Sequence, residues 1–247
     1  MPLDPQDLQR YHDEGFLVLR GLVDRDRLTR IAREVDGLHR AMAESTPPEI
    51  TISWEEPRPG RPRRIRQLMH SERVCPSIEG LLDDAVLLAV VRQLIGPEVA
   101  LFHSKLMMKA AHDGSFTPWH QDWGYWRHEA RVPSQVNAML AIDPQADDNG
   151  CIRFVPGSHR DGYRSHNDFA TSSFNIGLPG DLDAYAAVSC VMEPGDVVFF
   201  GPLVIHASAP NTSGAHRRAN TFAFDRSGNR LAGAPLRQLR SRAPDRA

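Results

Sequence analysis

From Val99 to Asp225 the chain is a run of short apolar segments, each closed by a turn signal, and that cadence restricts the fold more than any other feature of its 247 residues. The strand-like segments are Val99 to Lys109, a piece ending near His120, Val136 to Ile142, Cys151 to Val155, Val188 to Met192, Val197 to Phe200, Leu203 to Ala207 and Arg217 to Asp225. Between them stand Asp147-Asp148-Asn149-Gly150, Pro156-Gly157-Ser158-His159, Glu193-Pro194-Gly195-Asp196 and Pro210-Asn211-Thr212-Ser213-Gly214. Glycine, proline, asparagine and aspartate in such clusters favour tight turns. Many short strands spaced in this way predict a jelly-roll barrel of the cupin-like, double-stranded β-helix kind. Two strand-turn-strand units are expected: Val188 to Phe200, and Leu203 to Asp225 paired across the turn at Pro210.

Ahead of Glu98 the apolar period is helical. Residues 4–14 have helical spacing ended by Gly15, and Phe16 to Arg20 reads as a short strand closed by Gly21. Asp24 is placed to cap a helix reaching about Met42, with Leu28, Ile31, Val35 and Leu38 on one stripe. A second helix is expected from about Ile78 to Ile95, stopped by Gly96-Pro97. Ser45 to Pro76, rich in proline and arginine, reads as a long irregular excursion, and 160–187 as a second long loop. Long loops in compact domains tend to be lids or binding walls. The expectation is one mainly β domain with flanking α-helices over 1–247: a helical scaffold to about 98, then the barrel core from about 99 to 230.

A formal net charge of −2 gives no reason to expect nucleic acid as a partner. The basic run Arg58 to Arg66 is interrupted by prolines and suits an exposed loop. Cys75, Cys151 and Cys190 are isolated, which fits neither a disulfide framework nor a cysteine zinc site. The N-terminus has no apolar signal core, and the longest apolar run, Ala85 to Val91, is too short for a bilayer. A cytoplasmic monomer or homodimer is expected.

The chemistry concentrates in Phe116-Thr117-Pro118-Trp119-His120-Gln121-Asp122-Trp123-Gly124-Tyr125-Trp126. In an extended segment alternate side chains share a face, so His120 and Asp122 converge while Gln121 points away. An imidazole and a carboxylate together are two thirds of the facial triad that holds non-haem Fe(II). His206, at the end of an apolar strand with a turn after it, is the best third ligand. With eleven histidines the spacing alone decides little: His12-Asp13-Glu14 and His166-Asn167-Asp168 resemble it without the strand context. Such a triad leaves three positions for a bidentate co-substrate and dioxygen. Arg217 returns toward the same cavity and offers a fork for a carboxylate, whereas Arg218 faces the other way. Lys105, Met107 and Lys109 share a face of the strand before the metal pair, and Lys105 and Lys109 are the chain's two lysines. With Trp123 and Trp126, Met107 and Lys109 are candidates for the substrate pocket.

Lys109, Trp119-His120-Gln121-Asp122, Asn149-Gly150-Cys151, Pro156 to His159, Pro194-Gly195-Asp196-Val197-Val198, and His206-x-Ser208-x-x-Asn211-x-Ser213 with Arg217-Arg218-Ala219 jointly resemble the phytanoyl-CoA dioxygenase family. The opening Gly15 to Leu19 and the helix after it fit as well. The resemblance implies a double-stranded β-helix using Fe(II) and 2-oxoglutarate. It implies His120, Asp122 and His206 as iron ligands and Arg217, with Ser208, on the distal carboxylate of 2-oxoglutarate. It places Lys105 toward the co-substrate, where glutamine is frequent, and Met139 where an aromatic is common. Oxidative decarboxylation to succinate and carbon dioxide would then drive oxidation of an aliphatic C–H bond. The carboxylate of Asp122 argues against halogenation, since related halogenases have a small residue there. The layout is similar to bacterial members that tailor secondary metabolites, and a small to medium hydrophobic natural product is the expected substrate. Oxidative epimerisation or cyclisation, a non-oxidative Zn or Mn isomerase, and a metal-binding sensor stand as alternatives.

Overall fold

The computed structural model describes residues 3–57, 59–60, 62–168, 176–180, 186–231 and 237–239. The first helix, α1 (Pro5–Glu14), starts where the Asp4 carboxylate accepts from the Gln6 amide and ends at Gly15, whose φ of 87° only glycine adopts without strain. Strand β1 (Phe16–Leu19) leads to α2 (Arg25–Glu44), capped by Asp24, with Ile31, Val35, Leu38 and Met42 on the buried stripe. The expected excursion from Ser45 to Pro76 is instead partly ordered into sheet. It forms β2 (Ile52–Trp54) and β3 (Ile65–Met69), an antiparallel pair that adds to the edge of a longer strand. Its prolines, and a register shift in the β2–β3 pairing that breaks simple alternation, hid the strand that buries Ile65 and Leu68. The helix expected from Ile78 to Ile95 is likewise broken. A short α3 (Pro76–Glu79) and a 3-10 turn precede α4 (Ala85–Ile95), because Asp84 caps α4 by accepting from the amides of Val86 and Leu87.

The remaining strands are β4 (Val99–Lys109), β5 (Thr117–His120), β6 (Val136–Ala141), β7 (Ile152–Phe154), β8 (Asn167–Asp168), β9 (Ile176–Gly177), β10 (Val188–Ser189), β11 (Val197–Phe200), β12 (His206–Ser208), β13 (Arg217–Arg226) and β14 (Arg237–Leu239). A single-turn helix, α5 (Trp123–Trp126), follows β5. The large antiparallel sheet runs β1-β11-β6-β13-β4-β3-β2, with β14 also on β4. The small one runs β10-β7-β12-β5. Two expected hairpins are therefore absent. β10 pairs with β7 while β11 joins the large sheet, and β12 and β13 lie in different sheets. Of the expected loop at 160–187, β8 and β9 form a small hairpin, and residues 169–175 and 181–185 lie outside the described residues.

Period-two alternation gives the large sheet two apolar faces. Leu106, Met108, Leu140, Phe199, Phe222 and Phe224 pack in one cluster with the stripe of α2 and with Leu88 and Val91 of α4. On the other face Met139, Ala141, Val198, Phe200 and Ala219 meet Ile152 and Phe154 of the small sheet. Two antiparallel sheets enclosing that second core make the jelly roll. Phe199 and Phe222 anchor the helix side, and truncating either to alanine would cost about 3–5 kcal/mol. Among the described residues no helix is long and apolar enough to cross a membrane.

Candidate active site

Strand β5 stops at His120, so Asp122 is not the extended residue that alternation predicts. It has helical backbone angles at the head of α5, and the turn still brings its carboxylate round beside His120. His206, the first residue of β12, is the cross-strand partner of His120, which sets the two imidazole centroids 4.2 Å apart. The Nε2 atoms of His120 and His206 lie 3.6 Å and 3.9 Å from the two carboxylate oxygens of Asp122. Candidate ligand atoms of all three residues fall within 4.8 Å of one another, close enough to share one ion. Each imidazole is oriented from behind. The Pro118 carbonyl lies 2.8 Å from Nδ1 of His120, and the Val204 carbonyl 3.0 Å from Nδ1 of His206. A proton held at Nδ1 leaves Nε2 as the metal-facing lone pair.

The surroundings set the charge state to match. Burial, then the neighbouring His120, depresses the His206 pKa to about 3, so its imidazole is neutral and ready to ligate. For Asp122 burial pulls upward, but Lys105 and the two histidines overcome it and hold the carboxyl well below the usual range. The Lys105 ammonium stands 3.9 Å from the Asp122 carboxylate. Asn137, on the inward face of β6, donates to the same carboxylate at 2.8 Å. Tyr125 sets its ring edge-on to His120, and Phe200 does the same to His206.

Gln121 points away from the triad and is fully buried. Its side-chain amide donates to the carbonyls of Gly162 and Leu203 and accepts from the Arg164 amide, while its backbone amide donates to His166. His166 is thus a loop anchor behind the strand, and His12 lies on α1.

A narrow cavity of about 50 Å³ runs from His120 and His206 past Lys105, Met107, Met139 and Ser208 to Lys109 and Arg217. Arg217 reaches it from the large sheet, opposite Lys109 on β4, and not from a hairpin partner of β12. The residue is 3% exposed, its guanidinium donates to the Gly150 carbonyl at 2.9 Å, and its Nε has no hydrogen-bond partner among the described residues. Burial drags its pKa down to about 10. Arg218 faces outward, as expected, and binds Asp143 and Asp36. Nζ of Lys109 donates to the carbonyls of Ser115 and Ala209, both at 2.6 Å, which ties two loops to the cavity's far end. Lys109 and Met107 therefore flank Arg217 in this narrow cavity, whereas Trp123 and Trp126 lie outside it. Trp126 packs in the core against Phe102 and His103.

Sequence reasoning passed over Asn137, the Gly150 carbonyl and Thr221, which also lines the narrow cavity. Asn137 shares an alternating face with Met139, so the pattern contained it, but nothing marked an asparagine as a carboxylate's partner. The two metal-facing imidazoles with a carboxylate suit Fe(II), and the unsatisfied Nε of a buried guanidinium suits a carboxylate such as the distal group of 2-oxoglutarate.

A model of the phytanoyl-CoA dioxygenase family matches residues 11–219. The chain is 27% identical over 250 residues to the L-proline trans-4-hydroxylase of Streptomyces griseoviridis, an alignment covering 94% of this chain and 88% of that one. Among solved structures, EctD from S. alaskensis with 2-oxoglutarate and 5-hydroxyectoine superposes with a TM-score of 0.78 at 22% identity, over 94% of this chain and 79% of the other. The carbocyclase SnoK from nogalamycin biosynthesis follows with a TM-score of 0.74 at 16% identity, over 96% and 97%. At these identities the two structural likenesses speak for the jelly-roll fold, and the family match speaks for the chemistry. The chain belongs to the phytanoyl-CoA dioxygenase family and is an Fe(II)- and 2-oxoglutarate-dependent dioxygenase.

Proposed function

We propose that this enzyme hydroxylates or otherwise oxidises an aliphatic C–H bond of a small to medium natural product, with His120, Asp122 and His206 as the iron ligands. The observation that carries the reading is the buried trio, two imidazoles on the small sheet and Asp122 just past its strand, facing a buried, partly unsatisfied Arg217 on the large sheet. Bound there, Fe(II) with 2-oxoglutarate and dioxygen supplies the oxidative decarboxylation to succinate and carbon dioxide and the oxidising power to break a C–H bond. The chain's own residues supply position and charge. Arg217, with Ser208 beside it, grips the distal carboxylate and fixes the co-substrate's reach toward the ligands. Lys105 balances the Asp122 carboxylate, and Asn137 keeps that carboxylate from rotating. Tyr125 and Phe200 pack on the imidazoles and keep water from the ligand side. The relative from Streptomyces griseoviridis, an L-proline trans-4-hydroxylase, supports hydroxylation of a small molecule.

Anaerobic addition of Fe(II) and 2-oxoglutarate should give the weak visible charge-transfer band of the chelate. Asp122→Ala and His206→Ala should abolish it and end 2-oxoglutarate turnover. Full turnover in either variant would remove that residue from the ligand set. Oxidative cyclisation or epimerisation starts from the same hydrogen removal, and analysis of the product distinguishes them from hydroxylation.

A further inference from the structure

Lys109 of β4 and Arg217 of β13 are cross-strand partners that line the narrow cavity, and the next pair along, Met108 and Arg218, faces the helices instead. Behind the first pair, on the helix side of the large sheet, lies a separate cavity of about 160 Å³ closed by α2 and by the start of β3. It has room for several waters or for one tetrahedral anion. Its polar lining comes from three segments distant in sequence: Asp36 and His39 of α2, Arg64 just before β3, and His216 and Arg218 around the head of β13.

The charges around this space do not cancel. Arg218 is held by Asp143 and by Asp36, so the one carboxylate that lines the cavity is already engaged. Arg64, half-buried, makes no side-chain hydrogen bond and no ion pair among the described residues. Nε2 of His39 accepts from the Ile65 amide at 3.0 Å, which places the proton of the neutral ring on Nδ1, and Nδ1 has no partner among the described residues. Nδ1 of His216 likewise accepts from the Ala111 amide at 3.2 Å, which leaves Nε2–H of an exposed ring as a donor. Burial, then neighbouring Arg64, His216 and Arg218, lowers the His39 pKa, the mark of an electropositive space.

We propose that this cavity is a binding site for a tetrahedral oxyanion, inorganic phosphate or the phosphoryl group of a phosphate ester, held by Arg64, His39 and His216. The donors decide the class. A guanidinium fork and two imidazole N–H groups approach from α2, from the start of β3 and from the head of β13, and a tetrahedral ion offers acceptor oxygens in that many directions, whereas a carboxylate offers two in one plane. A cation would meet an unpaired guanidinium, and an apolar ligand would strip its water without replacing it. The ion sits on the back of the strand pair that carries Lys109 and Arg217 and does not enter the co-substrate cavity. The proposal stands independently of the oxygenase reading.

The test is isothermal titration calorimetry of the Fe(II)-loaded protein, kept anaerobic with 2-oxoglutarate in excess, using inorganic phosphate, phenyl phosphate and sodium chloride at matched ionic strength. At least one of the two phosphates should bind saturably with a Kd on the order of 1 mM or tighter, and the tighter of them tells the free ion from the ester. Arg64→Gln should raise that Kd by about tenfold or more, and Arg64→Glu should abolish binding. Arg10→Gln, which removes an exposed arginine of α1, should leave the affinity unchanged, and so should Arg217→Met, which separates this site from the co-substrate cavity. Without phosphate, Arg64→Gln should keep the parental Tm, because the guanidinium has no partner to lose among the described residues. No saturable heat from either phosphate, an equal response to chloride, parental affinity in Arg64→Glu, or loss of binding in Arg217→Met would each overturn the proposal.

Discussion

Replacing Arg217 by methionine should move stability and co-substrate affinity in opposite directions. Arg217 is 3% exposed, its guanidinium donates to the Gly150 carbonyl, and its Nε is unsatisfied among the described residues. Burial lowers the Arg217 pKa to about 10, since the charge is taken out of water without a carboxylate partner among the described residues. Replacing buried charge by an apolar group of similar volume is neutral to stabilising by about 1–4 kcal/mol. Against this, the Gly150 carbonyl loses its donor, at a cost of about 1 kcal/mol or more. The difference, roughly 0–3 kcal/mol, raises Tm of the metal-free protein by up to about 10 °C for a chain of this size. On the binding side, removing one member of a buried charge pair costs about 2–5 kcal/mol. KM for 2-oxoglutarate should therefore rise by roughly thirtyfold to a few thousandfold. Arg217→Lys should fall between, because an ammonium keeps the charge and loses the fork. Differential scanning calorimetry and succinate release give the two readouts. A lowered Tm with unchanged KM would mean that Arg217 is a structural residue, and the co-substrate assignment would fail.

Lys109 supplies a pH test, since burial, then Arg217, depresses its pKa from 10.5 to about 6. Between those values the unfolded chain holds a proton that the folded chain lacks. The stability penalty should be absent above about pH 10.5, grow as pH falls and be complete below about pH 6, and Lys109→Met should flatten the curve in urea titrations. Asn137→Ala removes the donor that steadies Asp122 and should weaken Fe(II) binding by about 10–100-fold in an anaerobic titration, with little change in Tm. Gly150→Ala should lower both Tm and 2-oxoglutarate affinity. Gly150 has a φ of 74°, and an added Cβ would lie 2.2 Å from the Ala209 carbonyl oxygen, displacing the carbonyl that Arg217 holds.

The strand cadence was legible because most barrel strands have one face on each core. Val99 to Lys109 matches β4 residue for residue, and Asp24 and Gly15 bound their helices as their side-chain chemistry dictates. What the sequence hid was pairing. The twelve residues from His206 to Arg217 look like a hairpin because a turn divides them, yet they cross from one sheet to the other, and nothing local encodes that choice. Asp84 was obscured by apolar residues on both sides, which made two helices look like one.

Because the imidazoles ride on β5 and β12 while the guanidinium rides on β13, a dicarboxylate held between them as proposed would work as a strut across the barrel. Its usable length would be dictated by the gap between two sheets, which Phe154, Phe200 and Met139 fill as a packed spacer. Rim loops can diverge to suit new substrates without altering that gap, whereas a one-methylene change in the spacer would detune the co-substrate first.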